Sequence, residues 1–271
     1  MLARMGVSLS ILASGSRGNS ALVQSSSTRI LVDAGISCKE TFKRLKDTGD
    51  DPRSLSAIVI THEHADHVQG LRVLARKLNI PVYMTGATHR AWARTVRDAI
   101  GELPEVPRLE YFCSGHKFQV GDIEVMPFTI PHDAADPVGF TFRVEGIRIA
   151  IATDLGYLPP SVCDQLRGCD LLVLESNHDL EMLRLGAYPW SVKQRVMSRV
   201  GHLSNAALAQ FFCNDYDGNA SYIVLAHLSE HNNHPEVARG EAEKALGLRR
   251  TLLNNRVLLA AQERAVQPIR L

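Results

Sequence analysis

The segment Thr61-His62-Glu63-His64-Ala65-Asp66-His67 places three histidines and two acids within six consecutive residues. It follows the apolar run Ala57–Ile60 and precedes a helix-like stretch. In an apolar core none of these side chains would be satisfied, so the segment is either a solvated loop or a ligand cluster. Imidazoles at i, i+2 and i+5 after a strand are suited to converge on cations at its end. Imidazole is the usual nitrogen ligand for zinc, manganese or iron, and a carboxylate completes a harder second site. Further candidates close other strand-like runs: His132 in Thr129-Ile130-Pro131-His132-Asp133, Asp154 after Arg148–Thr153, and His227 after Tyr222–Ala226. Singly, such a histidine is a hydrogen-bonded surface residue and such an aspartate a turn cap. Beside the histidine cluster, the three extend a ligand set.

The elements that must position these groups follow from periodicity. Val7–Leu12, Ala21–Gln24 and Arg29–Asp33 read as three strands joined by tight turns. Lys39–Lys46 is a short helix, and Ala57–Thr61 a buried strand. Val68–Leu78 is an amphipathic helix with Val68, Leu71, Leu74, Ala75 and Leu78 on one side. Pro81–Met84 is a strand and Ala87–Ile100 a helix. Ile123–Phe128, Val138–Glu145 and Arg148–Thr153 form a strand-rich block with a turn at Glu145-Gly146, and Leu171–Glu175 is a further buried strand. Helices over Trp190–Val200 and Asn205–Asn214 lead into a strand at Tyr222–Ala226. A helix after Pro235 and a strand at Arg256–Ala260 complete the pattern. Two comparable halves of this kind imply two facing sheets with helices outside, in one domain over residues 1–271.

Composition excludes several classes. With 271 residues, 45% hydrophobic and 22% charged, the chain can bury a full core and is not disordered, collagenous or a disulfide scaffold. Thirty basic and twenty-nine acidic residues leave a net charge of +1, so a nucleic-acid contact has to use a local patch. Five cysteines without a C-x-x-C pair read as reduced core residues. No apolar run approaches the ~18 residues of a membrane span. Val7–Leu12 alternates apolar residues with serine, as a strand does and a leader does not. The expectation is a soluble, cytoplasmic protein with no membrane partner.

The pattern HxHxDH, followed in order by His132, Asp154 and His227, resembles the metallo-β-lactamase superfamily of binuclear hydrolases. Asp33, which ends Arg29–Asp33 and precedes Ala34-Gly35, matches that family's first motif, a structural aspartate behind the metals. The resemblance covers residues 8–230 or so and implies an α/β fold, the four-layer αββα sandwich, with two divalent metal ions, zinc or manganese, at one edge. It implies that His62, His64 and His132 hold one ion, that Asp66, His67 and His227 hold the other, and that Asp154 bridges; Asp66 is also counted among the catalytic groups. Two cations about 4 Å apart would polarise a phosphoryl or carbonyl oxygen and hold a hydroxide nucleophile.

Three more segments narrow the chemistry. Leu171–Glu175 ends in a buried carboxylate, Gly201-His202-Leu203-Ser204-Asn205 puts a histidine before a helix, and His227 opens His227-Leu228-Ser229-Glu230-His231-Asn232-Asn233. This order resembles the nucleases of the superfamily, the tRNA 3′-processing enzymes among them. There the paired Glu and His sit beside the metals and the His protonates the leaving oxygen, so the resemblance makes Glu175 and His202 catalytic. An alkoxide is a poor leaving group and needs such an acid. On residue type alone, His202 is equally a locally bonded helix-start residue and Glu175 an arginine partner. The long inserted domain of RNA-processing relatives has no room here.

The loop Ser14–Ser20 together with THEHADH, ESNHD, GHLSN and HLSEHNN resembles the YycJ-type (WalJ) group within that superfamily. That resemblance implies a metal-dependent 5′-to-3′ exonuclease acting on DNA, in repair. Alternatives are an RNA nuclease or small-molecule phosphodiesterase of the same superfamily, a thioester or lactone hydrolase, and a non-catalytic metal-binding regulatory protein. Ser16, Arg17 and Asn19 either present backbone N–H groups, hydroxyl and charge to a substrate phosphate or form a plain turn. Asn232 and Asn233 either bind substrate, orient His227 or make a turn. Basic residues cluster at Arg72, Arg76 and Lys77, at Arg90, Arg94 and Arg97, and at Arg184, Lys193, Arg195 and Arg199. They are phosphate contacts or solvated helix faces. Tyr188 and Trp190 stack on bases or enter the core.

Overall fold

Alternating side chains along each strand sort the apolar residues onto two faces, and the computed structural model, which describes residues 6–248 and 255–271, shows where each face goes. Met1–Met5 and residues 249–254 of the expected domain lie outside the described residues. The first half of the chain runs β1 (Ser8–Ala13), β2 (Ser20–Gln24), β3 (Arg29–Val32), α1 (Cys38–Asp47), β4 (Ala57–Val59), α2 (Ala65–Val68), α3 (Leu71–Leu78), β5 (Val82–Met84), α4 (Gly86–Ile100) and β6 (Leu109–Tyr111). The second half runs β7 (Phe118–Val120), β8 (Ile123–Thr129), β9 (Val138–Val144), β10 (Ile147–Ala152), α5 (Pro160–Leu166), β11 (Leu171–Glu175), α6 (Leu180–Leu185), α7 (Trp190–Val196), α8 (Asn205–Asn214), β12 (Tyr222–Ala226), α9 (Pro235–Gly247) and β13 (Arg256–Leu259). β14 (Ile269–Arg270) then returns to pair with β1.

Two sheets result, ordered β14-β1-β2-β3-β4-β5-β6 and β13-β12-β11-β10-β9-β8-β7. Between them, Leu9, Ile11, Val23, Ile30, Val32 and Val59 meet Val125, Phe140, Phe142, Ile149, Ile151, Val173 and Val224. The opposite face of the first sheet, through Leu22, Leu31 and Ile58, packs on Leu45 of α1, Leu71 and Leu74 of α3 and Trp92 of α4. The opposite face of the second, through Ala150, Leu172, Leu174, Ile223 and Leu225, packs on Leu166 of α5, Phe211 and Phe212 of α8 and Ala242 of α9. Each large side chain so buried contributes about 1.5–3 kcal/mol. The layers are helix, sheet, sheet, helix: the four-layer αββα sandwich expected from the sequence.

β3 through β6 are mutually parallel, as are β10 through β13. In each sheet the carboxyl ends of neighbouring strands therefore open on one edge, where open α/β sheets place their ligands.

Two helices differ from expectation. Val68–Leu78 is broken at Gln69–Gly70, because the Gly70 backbone presses on the loop after β3. Its N–H donates to the Ala34 carbonyl at 2.8 Å, and a Cβ there would lie 2.1 Å from the Ile36 oxygen. The helix expected over Trp190–Val200 ends at Val196, and the chain folds back so that Gly201 packs on the Arg195 and Val196 carbonyls. β6, β7, β14, α5 and α6 were not foreseen, since elements of two to seven residues are too short to display a period.

Candidate metal and catalytic site

Besides Glu145 in the β9–β10 turn, three non-glycine residues just past strand ends have φ in the left-handed region: Asp33 (φ 60°) after β3, Asp154 (φ 60°) after β10 and His227 (φ 54°) after β12. Such a conformation costs on the order of 1–3 kcal/mol. Here it turns three polar side chains off both sheets toward one edge.

Asp33 is buried and fully bonded. Its Oδ1 accepts the Thr61 N–H at 2.8 Å, its Oδ2 accepts the Thr61 hydroxyl at 2.9 Å, and Oδ2 lies 2.8 Å from His67 Nδ1. With Nδ1 engaged, His67 presents Nε2, 3.2 Å from Asp154 Oδ2 and 3.5 Å from Asp66 Oδ2. Thr61 Oγ1 also lies 3.0 Å from His62 Nδ1, which turns the His62 Nε2 toward the cluster. His132 bonds the Gly201 carbonyl through Nδ1 at 3.2 Å and brings Nε2 to 3.3 Å from His64 Nδ1. One donor atom each from His62, His64 and His132 lies within 4.8 Å of the others, and the same holds for His62, His67 and Asp154 and for Asp154, Glu175, His202 and His227.

This donor set fits divalent cations. Among the described residues, His62 Nε2, Asp154 Oδ2 and His227 Nε2 are buried and have no hydrogen-bond partner, although leaving a buried polar atom unpaired costs about 1–3 kcal/mol. All three belong to the converging groups. Burial, then the charge of His67, pushes the His62 pKa well down, leaving it a neutral ligand. Burial opposes a proton on His67, yet Asp154 and Asp33 raise its pKa well above the usual value. A cation among these carboxylates takes over the work of that proton.

The far wall is built on Glu175, whose side chain is completely buried. Its Oε1 lies 2.8 Å from both His202 Nδ1 and His227 Nδ1, and its Oε2 accepts the Leu155 and Leu203 N–H groups at 2.9 and 3.1 Å. Burial works against this carboxylate, but His202, by charge and hydrogen bond, and then the His227 hydrogen bond, bring its pKa down to about 2. No lone pair remains for a substrate, so Glu175, counted from the sequence among the catalytic groups as the partner of His202, is a positioning residue acting through His202 and His227. His202 is 20% exposed, and its Nε2 makes no hydrogen bond among the described residues. Burial lowers its pKa, but the Glu175 charge and hydrogen bond outweigh this and raise it above the usual imidazole value.

The expected substrate-binding residues divide. Asn19 is buried, accepts the Gly15 N–H through Oδ1 at 2.9 Å, and places Nδ2 3.1 Å from Asp66 Oδ2 and 3.0 Å from His67 Nε2. It thus lies against a carboxylate of the candidate metal site, a role beside the phosphate contact and the plain turn that the sequence left open. Asn233 spends its amide on the Ser176 and Asn177 carbonyls, the Asn205 side chain and the His234 N–H. Asn232 is buried, reaches the Ser229 hydroxyl, and lies where a Cβ on Gly186 would stand 2.5 Å from its Oδ1. Of the alternatives open to these two asparagines, the hydrogen bonds fit the turn reading, with Asn233 tying loops together. Ser16 and Arg17 are exposed and, with Asp66, Arg72 and one side of α4, line a groove of about 750 Å³. Arg17 pairs there with Glu230 and Glu263.

Two positioning hydroxyls escaped sequence reading: Thr61, described above, and Ser14, whose Oγ accepts the His227 N–H at 2.7 Å. The only sequence signal for either is a hydroxyl residue at the end of an apolar strand.

Residues 28–227 match the family described as "Beta-lactamase superfamily domain", and the chain belongs to that superfamily. Together, fold and donor set define a divalent-metal site at the sheet edge. Within the family, the chain is 40% identical over 242 residues to Exodeoxyribonuclease YycJ of Bacillus anthracis, covering 89% of this chain and 90% of that protein. It is 36% identical over 237 residues to Exodeoxyribonuclease WalJ of Streptococcus pneumoniae serotype 2 (strain D39 / NCTC 7466), covering 88% and 87%. The crystal structure of the metallo-β-lactamase fold protein YhfI from Bacillus subtilis shares the fold, with a TM-score of 0.70 at 16% identity over 96% of this chain and 99% of that one. Among the described residues no helix is long and apolar enough to cross a membrane.

Proposed function

We propose that this chain is a binuclear metal-dependent exodeoxyribonuclease that degrades DNA from the 5′ end, working in the cytoplasm in DNA repair, with residues 1–271 acting as one catalytic domain. The observation that carries the hydrolytic reading is the Glu175–His202 pair at the edge of the ligand cluster. Nuclease action draws on the two relatives named exodeoxyribonucleases. His62, His64 and His132 would hold one divalent ion and Asp66, His67 and His227 the other, with Asp154 available to both. Imidazole-rich donors suit zinc and the added carboxylates suit manganese. Bound there, the ions supply Lewis-acid polarisation of a phosphoryl oxygen and acidify the attacking water.

The chain's own residues do the rest. Water adds its oxygen to phosphorus and loses a proton to solvent, the P–O bond to the departing nucleotide breaks, and His202 Nε2 gives its proton to that leaving oxygen, to be reprotonated from solvent afterwards. Glu175 fixes Nδ1 and keeps the imidazolium available near neutral pH. Asp33 and Thr61 hold His67 and His62 in the orientation that directs Nε2 inward, and Asn19 steadies Asp66.

The test is nucleotide release from 5′-labelled and 3′-labelled duplex DNA with manganese or zinc, beside His67→Ala. Stepwise, metal-dependent loss from the 5′ end that disappears in the variant is the expected result. Release that persists in His67→Ala, or cleavage of RNA with no action on DNA, contradicts the proposal.

A further inference from the structure

Twelve large hydrophobic side chains are exposed among the described residues, and six of them fall between positions 180 and 200: Leu180, Leu185, Trp190, Val192, Met197 and Val200. Trp190 is 63% exposed and Leu185 71%. Fully burying a large apolar side chain is worth about 1.5–3 kcal/mol, and exposed ones concentrated along one stretch of chain point to an interaction site.

This arm, α6 with α7, is built to hold its shape. Lys193 is buried and its Nζ donates to the Arg184 carbonyl at 2.8 Å, tying the two helices together. Gly186 sits against Asn232, and Tyr188 meets His231 edge-on with ring centroids 6.0 Å apart.

The arm is also joined to the catalytic wall. The His202 N–H donates to the Val196 carbonyl at 2.9 Å, the Asp133 N–H to the Val200 carbonyl at 3.1 Å, and Arg195 Nε to Asp133 Oδ2 at 2.6 Å. From Val196 back to Trp190 the helix spans about 9 Å at 1.5 Å per residue. That is between two and three base spacings of roughly 3.4 Å.

Charge selects the partner. Of the cations at positions 180–200, Lys193 is buried on the Arg184 carbonyl and Arg195 pairs with Asp133, which leaves Arg184 and Arg199 exposed and unpaired with any acid, against Glu181 as the segment's one acidic residue. Apolar and aromatic surface interleaved with arginine suits flat bases joined by phosphates. Within a duplex the bases are stacked on one another, so apart from the terminal pair only unpaired bases offer a face to an exposed indole.

We propose that the α6–α7 arm is the docking surface for the unpaired end of the DNA strand being cut, with Trp190 stacking on a base and Arg184 contacting the backbone. This rests on the nuclease reading above and adds to it which part of the substrate lies on the His202 side.

The chain has two tryptophans, Trp92 at 3% exposure and Trp190 at 63%, so intrinsic fluorescence reports on the arm. A short phosphorothioate oligothymidylate added to the metal-loaded protein is expected to quench the Trp190 emission, and Trp190→Ala to abolish that quench. A stacking contact worth ~1–3 kcal/mol converts, at about 1.4 kcal/mol per tenfold, to a loss of roughly 5- to 150-fold in kcat/KM on single-stranded DNA. Trp190→Phe should recover most of it, and turnover of bis(p-nitrophenyl) phosphate should stay within about twofold of wild type in both variants.

Unchanged kcat/KM on DNA with no quench overturns the proposal. So does a Trp190→Ala variant that loses oligomeric mass by light scattering while keeping full DNA activity, which would make the arm an interface between copies. If wild type hydrolyses neither DNA nor bis(p-nitrophenyl) phosphate, the nuclease reading fails, and the fluorescence titration still decides the arm: a quench supports it and its absence overturns it.

Discussion

Each half of the sandwich places one buried carboxylate beneath the site: Asp33 past β3 in the first sheet, Glu175 at the end of β11 in the second. Both spend their oxygens on backbone N–H groups and imidazole Nδ1 atoms. Asp33 holds the Thr61 N–H, the Thr61 hydroxyl and His67, whereas Glu175 holds two N–H groups and two histidines. The difference lies in what those histidines face. The His67 Nε2 lies among Asp154, Asp66 and Asn19, and His227 points toward Asp66. His202 alone keeps a solvent-reaching edge with its Nε2 uncommitted. In the proposed mechanism the same device would serve ligand orientation in one half and, in the other, ligand orientation and proton donation together.

Breaking the second role alone should have the largest effect. His202→Ala is expected to lower kcat by about 10²- to 10⁴-fold, the usual worth of a general acid, while metal content and oligonucleotide affinity stay near wild type. Metal analysis and fluorescence titration on the same sample check this, and equal losses in binding and turnover would deny His202 the acid role.

Asp33→Asn and Glu175→Gln sharpen the contrast. Each removes a carboxylate behind a ligand and should cost roughly 10- to 100-fold in metal affinity or activity. Only Glu175→Gln should move the pH profile. Glu175 raises the His202 pKa above its usual value, so the acid is protonated below that pKa and activity falls as pH rises through it. Without the carboxylate's charge, that alkaline limb shifts to lower pH. In Asp33→Asn it should stay in place.

The smallest effect on chemistry should come from Asn233→Ala. Loss of its buried bonds to Ser176, Asn177 and Asn205 should cost about 1–3 kcal/mol of stability and lower the melting midpoint. The activity of the folded enzyme should be little changed.

Legibility in the sequence followed the distance over which the information is local. His62, His64, Asp66 and His67 announce themselves because they lie within six residues, and His132, Asp154 and His227 because each follows an apolar strand. Residues whose meaning depends on a distant partner stayed open or were missed. Asn19 and Asn233 show donor and acceptor groups in the sequence, but that Asn19 meets Asp66 and Asn233 meets Asn205 is visible only once the chain is folded. Ser14 serves a histidine 213 positions away. Gly70 breaks a helix whose apolar period continues through it, because Ile36 leaves no space for a side chain. The exposure of Trp190 was equally hidden: a seven-residue helix does not show which face it buries.

The central claim is that two divalent ions held by these seven ligands drive hydrolysis of DNA. Its most direct test is titration of manganese or zinc into metal-free protein while nucleotide release from 5′-labelled DNA is followed. The account predicts no release without metal and a rate that saturates at about two equivalents per chain, as expected of a two-metal site. Saturation at one equivalent, or release from metal-free protein, would contradict it.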